Sequence, residues 1–172
     1  MKNHPHSVWR TEDGVYTVTV EYACFESMLQ LAGERAPVEV GTSLVGSYTD
    51  DGHHAYVRSL APLTPDSQGG RFTFQRGVAG LRDFFRKVFK RSRGMTHYVG
   101  EWHSHVGGAP IPSGTDDTNT MEIARDPSAL CPECILVILA LREKKVELGV
   151  YVYSRKHGRL TLARIPRAEG GD

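Results

Sequence analysis

The 172 residues carry 21 Lys and Arg against 20 Asp and Glu, a formal net charge of +1, with 40% hydrophobic and 24% charged positions. This is the composition of a soluble globular chain long enough for a real core, and it excludes bulk attraction to nucleic acid or to a membrane surface. The opening MKNHPHSVWRTEDG has no apolar run of signal-peptide kind, the apolar stretch 135–141 is too short to span a bilayer, and three cysteines make no disulfide framework, so a cytoplasmic location is expected.

Residues 15–20 read as a strand, and 21–35 space Phe25, Met28, Leu29 and Ala32 as a helix that stops near Gly33. Two strands, 38–48 and 55–60, flank the turn residues Asp50, Asp51 and Gly52. Residues 62–70 read as a polar loop and 71–74 as a short strand. Within 78–91, Leu81, Phe84, Phe85, Val88 and Phe89 recur at i, i+3, i+4, i+7 and i+8, the pattern of an amphipathic helix. Residues 97–102 form a predicted strand and 115–125 a predicted helix ended by Pro127; strands 135–141, 146–153 and 160–165 follow. The pattern predicts a mixed α/β chain without repeats, a single domain over 1–165, with a loose tail over 166–172.

Between strand 97–102 and helix 115–125 lies His103-Ser104-His105, then seven residues, Ser113, two residues and Asp116. Two imidazoles and a carboxylate are the three-ligand set of a catalytic zinc whose fourth position stays open for water. On an extended segment His103 and His105 point to one face. The Gly/Pro-rich turn 106–112 would bring Asp116, in the first turn of the helix, back to them. Each part has a plainer reading: His-x-His as two ordinary histidines, and Ser113-x-x-Asp116 as a helix-capping box. Capping explains neither the paired histidines nor the turn, and Ser113 can start the helix that aims Asp116.

His103-Ser-His105, Ser113 and Asp116 match at every required position the metal-binding motif of the JAMM metalloproteases, also called JAB or MPN-plus. Glu39-Val-Gly41-Thr-Ser-Leu44-Val-Gly46 is similar to the strand on which that family carries its catalytic glutamate. The resemblance implies a curved, mixed central sheet flanked by helices, the deaminase-like α/β/α architecture. It implies one Zn²⁺ held by His103, His105 and Asp116, Glu39 as general base and Ser113 as oxyanion donor. It also implies hydrolysis after the C-terminal glycine of a ubiquitin-like protein or its conjugate. The compact form resembles prokaryotic members encoded with E1- and E2-like proteins, with antiphage operons of the CBASS and Bil kind favoured. Processing of a sulfur-carrier protein is the alternative within this chemistry, and a non-catalytic MPN-type scaffold the alternative outside it. Two departures stand out: Val106-Gly107-Gly108 where proline usually follows the second histidine, implying a more mobile rim, and Thr42 in place of a glycine, implying altered approach of substrate backbone.

Glu101 shares a strand face with His103 and His105 and competes with Glu39 as base; the family pattern fixes an acid at Glu39 alone, which leaves Glu101 as a supporting or solvent-facing residue. Trp102, on the opposite face, reads as core, and Ser104 as a group that orients backbone. Arg82, Arg86, Lys87, Lys90, Arg91 and Arg93 surround Asp83 on one helix. A solvated helix face is the simplest reading, a protein-binding face the next, with nucleic acid unlikely as a partner; Arg71 and Arg76 are candidates to contact a substrate tail. Cys131-Pro-Glu-Cys134 has the spacing of half a zinc site, no completing pair, and reads as structural. Cys24 is isolated, His53-His54 reads as exposed, and Gly170-Gly171 is no ubiquitin-like tail.

Overall fold

The structure, a computed structural model, describes residues 6–131, 133–142 and 145–166. The tail with Gly170-Gly171, and Pro132 between the cysteines, lie outside the described residues. In chain order the elements are β1 (His6–Arg10), β2 (Thr17–Glu21), α1 (Tyr22–Arg35), β3 (Gly41–Tyr48), β4 (His54–Leu60), β5 (Gln68–Gly69), β6 (Phe74–Gln75) and α2 (Leu81–Arg91). β7 (His97–Val106), α3 (Gly114–Arg125), a 3₁₀ turn (Pro127–Ala129), β8 (Glu133–Arg142), β9 (Lys145–Ser154) and β10 (Gly158–Ile165) complete them.

The mixed sheet runs β1-β10-β9-β8-β7-β3-β4-β2 and closes on itself, because β1 pairs with both β10 and β2. β2/β4 and β7/β8 are parallel; the other neighbours are antiparallel. Strand β8 shows why a near-continuous apolar run is needed at the centre. Its Ile135, Val137 and Leu139 pack in the main core with Cys24, Met28 and Ala32 of α1. Its Leu136 and Ile138 pack on the other face, under α3, with Ala124, Tyr151 and Tyr153. Each fully buried side chain of this size contributes about 1.5–3 kcal/mol. Among the described residues no helix is long and apolar enough to cross a membrane.

Four differences from the sequence reading have local causes. β1 was not anticipated: of its five residues only Trp9 is buried, so no alternation marks it. The helix expected from 78 starts at Leu81, because the Asp66 carboxylate accepts from the N–H groups of Val78 and Ala79, and Gly80 sits at φ +79. The predicted loop 62–70 contributes β5, which pairs with β6 as a small hairpin. The strand expected from 38 joins the sheet only at Gly41, because the N–H of Glu39 bonds the Gly70 carbonyl at 2.8 Å instead.

β7 changes register halfway. Leu44 pairs with Gly100 but Val45 pairs with Tyr98, which leaves Val99 as an extra residue. Gly100 has φ +151, and a Cβ there would lie 2.0 Å from the Ile135 carbonyl oxygen. Val99 and Trp102 therefore both face the core. Glu101, His103 and His105 fall on the other face.

Candidate active site

Strand β7 presents His103 and His105 side by side, with Nε2 atoms 3.0 Å apart. Their intervening neighbour turns away: Ser104 is fully buried, its N–H bonds the Val40 carbonyl at 2.8 Å and its Oγ accepts from the Val40 N–H at 3.0 Å. Ser104 thus orients backbone as expected, and it ties the segment that carries Glu39 to the segment that carries the histidines. Gly41, opposite His103, is required by that closeness, since a Cβ would lie 2.1 Å from the Trp102 carbonyl oxygen. Glu39 is 7% exposed and lies two residues before Gly41, the partner of His103.

Asp116 arrives from α3. Ser113 is the N-cap, and the capping box is complete: Ser113 Oγ accepts from the Asp116 N–H at 3.2 Å, and Asp116 Oδ2 accepts from the Ser113 N–H at 2.7 Å. The Ser113 hydroxyl also donates to Oδ2, at 2.7 Å. With Oδ2 so occupied, Oδ1 turns to His103 Nε2 at 3.4 Å. Burial alone would raise the Asp116 pKa, but the hydrogen bond and charge of His103 and the donors of Ser113 hold it well below the usual carboxylate range. His105 Nδ1 faces the Ala109 carbonyl at 2.8 Å. A carbonyl only accepts, so the proton sits on Nδ1 and Nε2 keeps its lone pair free. Burial lowers the His105 pKa, against the pull of that carbonyl.

These donor atoms suit a tetrahedral cation. Bonds of 2.0–2.1 Å place neighbouring ligand atoms about 3.3 Å apart. One donor atom from each of His103, His105 and Asp116 lies within 4.8 Å of the others. The pairs at 3.0 and 3.4 Å bracket the tetrahedral edge, and the third pair, His105 Nε2 with Asp116 Oδ2, stands wider at 3.9 Å. Three lone-pair donors with one anionic member fit zinc.

A groove of about 800 Å³ leads to the cluster between the β5–β6 hairpin and α3, lined among others by Gly69, Arg76, His103, Asp116, Asn119 and Ile123. A second cavity of about 850 Å³, lined by Trp9, Tyr22, Phe25 and Ile165 among others, contains none of these site residues. Glu101 also lines the groove, but it is not solvent-facing. Its Oε1 takes Arg76 Nε at 2.9 Å and the Tyr98 hydroxyl at 2.7 Å, and Ser43 Oγ donates at 3.2 Å. Burial pushes its pKa up against the pull of those three partners. Arg76, expected to meet substrate, is thereby committed to Glu101 and to the Gly77 carbonyl. No sequence signal joins positions 76 and 101; of the hairpin that pairs them, the sequence reading has a short strand over 71–74 and loop over 62–70.

Two expectations for the rim change. The Thr42 side chain faces the core and accepts from Trp102 Nε1 at 2.8 Å, so it does not shape the approach of substrate. The glycine turn is pinned: Gly107 N–H bonds the Leu141 carbonyl at 2.7 Å, and the Gly108 carbonyl accepts from Arg142 Nε at 3.0 Å. Trp102, 1% exposed, is core as expected. Cys131 and Cys134 are buried free thiols beside Tyr48 and Tyr98, and Cys24 is a core residue of α1. The six basic side chains of 82–93 are exposed, with Asp83 paired to Arg86 at 2.9 Å. His54 is half-buried, bonded to Thr19 and stacked on Tyr56.

Glu39 has the proton affinity of a neutral-pH base. Burial raises its pKa to about 7, with His103 drawing it down and Asp116 pushing it up. A folded-state pKa above the unfolded value means that stability falls as pH climbs from about 4.5 to about 7 and is flat above. Glu39→Gln removes that cost. Discounted for solvent screening, the gain is on the order of 1–2 kcal/mol at pH 8, a rise of about 3–6 °C in the Tm of the metal-free protein. The gap should narrow toward pH 5; identical melting curves at pH 8 would contradict the raised affinity.

Residues 22–155 match the family described as prokaryotic homologs of the JAB domain. A protein from Enterobacter hormaechei subsp. hoffmannii named CD-NTase/cGAS isopeptidase is 36% identical over 129 residues, covering 75% of this chain and 70% of its own length. The solution structure of a Desulfitobacterium hafniense protein shares the fold with a TM-score of 0.59 at 22% identity, covering 84% of this chain and 88% of that one.

Proposed function

The chain belongs to the family of prokaryotic JAB-domain homologs, and from that premise we propose that it is a zinc-dependent isopeptidase of an antiphage defence system, working in the cytoplasm. The convergence of His103, His105 and Asp116 beside one groove, with buried Glu39 just ahead of the adjoining strand, carries the reading. The substrate is a protein joined through its C-terminus to an amine. By analogy with the 36% identical relative, a CD-NTase-like protein is the first choice for the released partner and a ubiquitin-like modifier the second. E1- and E2-like proteins that make such a conjugate are the expected companions. Buried free thiols at Cys24, Cys131 and Cys134 suit a reducing compartment.

A zinc ion held by His103, His105 and Asp116 would polarise the scissile carbonyl and lower the pKa of the attacking water toward about 7. Glu39 takes the proton of that water and returns it to the leaving amine, a role its pKa of about 7 suits. Ser113 Oγ, now donating to Asp116 Oδ2, can turn to the tetrahedral oxyanion while its N–H keeps Oδ2 in place. Such a donor contributes about 2.7–4 kcal/mol. Arg76 and Glu101, paired to each other, hold the hairpin wall against β7.

The test is a CD-NTase-like protein linked through its C-terminus to a lysine side chain. Cleavage is expected, abolished by a chelator and restored by zinc. Cleavage of a ubiquitin-like conjugate alone would move the second substrate to first. Cleavage of neither by zinc-loaded protein would favour the non-catalytic scaffold.

A further inference from the structure

The outward face of β9 touches the metal segment twice. Tyr151 donates its hydroxyl to the Pro110 carbonyl at 2.7 Å, next to the Ala109 carbonyl that holds His105 Nδ1. Two residues before it, Gly149 leaves room for that loop, since a Cβ would lie 2.0 Å from the Pro110 oxygen. Two residues after it, Tyr153 donates to Asp117 Oδ1 at 2.5 Å. Arg159 Nη1 reaches the same carboxylate at 3.0 and 2.8 Å. Asp117 directly follows Asp116 in α3. The rings of Tyr151 and Tyr153 are buried with Leu136 and Ile138, so phenylalanine would preserve their packing and remove only the hydroxyls.

We propose that the two hydroxyls are positioning groups for the metal ligands, Tyr151 for His105 through the 109–110 loop, and Tyr153 with Arg159 for Asp116 through Asp117. The inference rests on the metal-site reading above. One rigid strand then fixes the spread between two ligands that come from different elements. Outer partners of this kind commonly change metal affinity about 10–100-fold.

Zinc affinity is measured by competition with a chromophoric chelator at 25 °C, beside the Tm of the metal-free proteins, for Tyr151→Phe, Tyr153→Phe and the double variant. Each single change is expected to weaken zinc about 3–10-fold and the double change about 30-fold or more. Tyr48→Phe is the control. Its hydroxyl serves the Val99 and Glu133 carbonyls on the same sheet but nothing at the site. It should lower Tm and leave zinc affinity unchanged. A double variant that binds zinc as tightly as wild type, whatever its Tm, overturns the proposal. So does an equal loss of affinity in Tyr48→Phe. A wild-type protein that takes up no zinc overturns the metal-site reading as well, and is thereby told apart from failure of the positioning groups alone.

Discussion

Glu39→Gln is expected to keep about one zinc per chain while kcat/KM on an isopeptide conjugate falls by a factor of about 10²–10⁴, the usual share of a positioned general base. The amide fills the same space and holds no metal-facing bond, so His103, His105 and Asp116 remain as they are. What disappears is a group that accepts a proton near neutrality. The result also decides between the two acids near the histidines. Glu101 accepts from Arg76, Tyr98 and Ser43, so Glu101→Gln should act through stability, leaving Arg76 without its counter-charge, and change turnover less. A Glu39→Gln protein with wild-type turnover, or a Glu101→Gln protein that folds normally, binds zinc and is dead, would transfer the role.

Asp116→Ala is expected to abolish zinc retention, from about one ion per chain to none detectable by mass spectrometry after purification without added metal. The substitution takes away the anionic ligand together with the carboxylate half of the capping box, a further cost of about 1 kcal/mol to α3. Asp116→Asn separates the effects, because its amide oxygen can still accept from Ser113 but carries no charge. It should recover the capping part of the Asp116→Ala loss but not the charge pairing with His103, and bind zinc far more weakly. Full zinc occupancy in Asp116→Ala would remove the residue from the ligand set.

The main elements of the fold were legible because their patterns are strong. The apolar run of β8 and the i, i+3, i+4 spacing of α2 leave few alternatives, and the His-x-His spacing fixes a shared face on any strand. Closure of the sheet was not legible, since β1 buries a single side chain. Nor was the β5–β6 hairpin, whose strands are two residues long and which docks through contacts far away in sequence, such as Gly70 with Glu39. The Arg76–Glu101 pair depends on that hairpin and stayed hidden with it. Tyr151 and Tyr153 look like ordinary core aromatics in the sequence; where their hydroxyls end is decided by the 109–110 loop and α3, which pack against them only in the fold. The mobile rim expected of Val106-Gly107-Gly108 followed from glycine content, whereas hydrogen bonds to Leu141 and Arg142 come from a strand more than thirty residues away.

The extra residue at Val99 makes β7 a counting frame with an odd offset. Upstream of it and downstream of it, even and odd positions swap sides, while both halves keep their partners on β3. Take the surplus residue out and the ladder becomes regular, with Trp102 still opposite Thr42 and His103 still opposite Gly41. What is lost is one core side chain, Val99, and the local bend. Descendants of this sequence can therefore shed one residue at this point and keep the histidines turned to the groove, because the bulge is where length can change without redealing the faces.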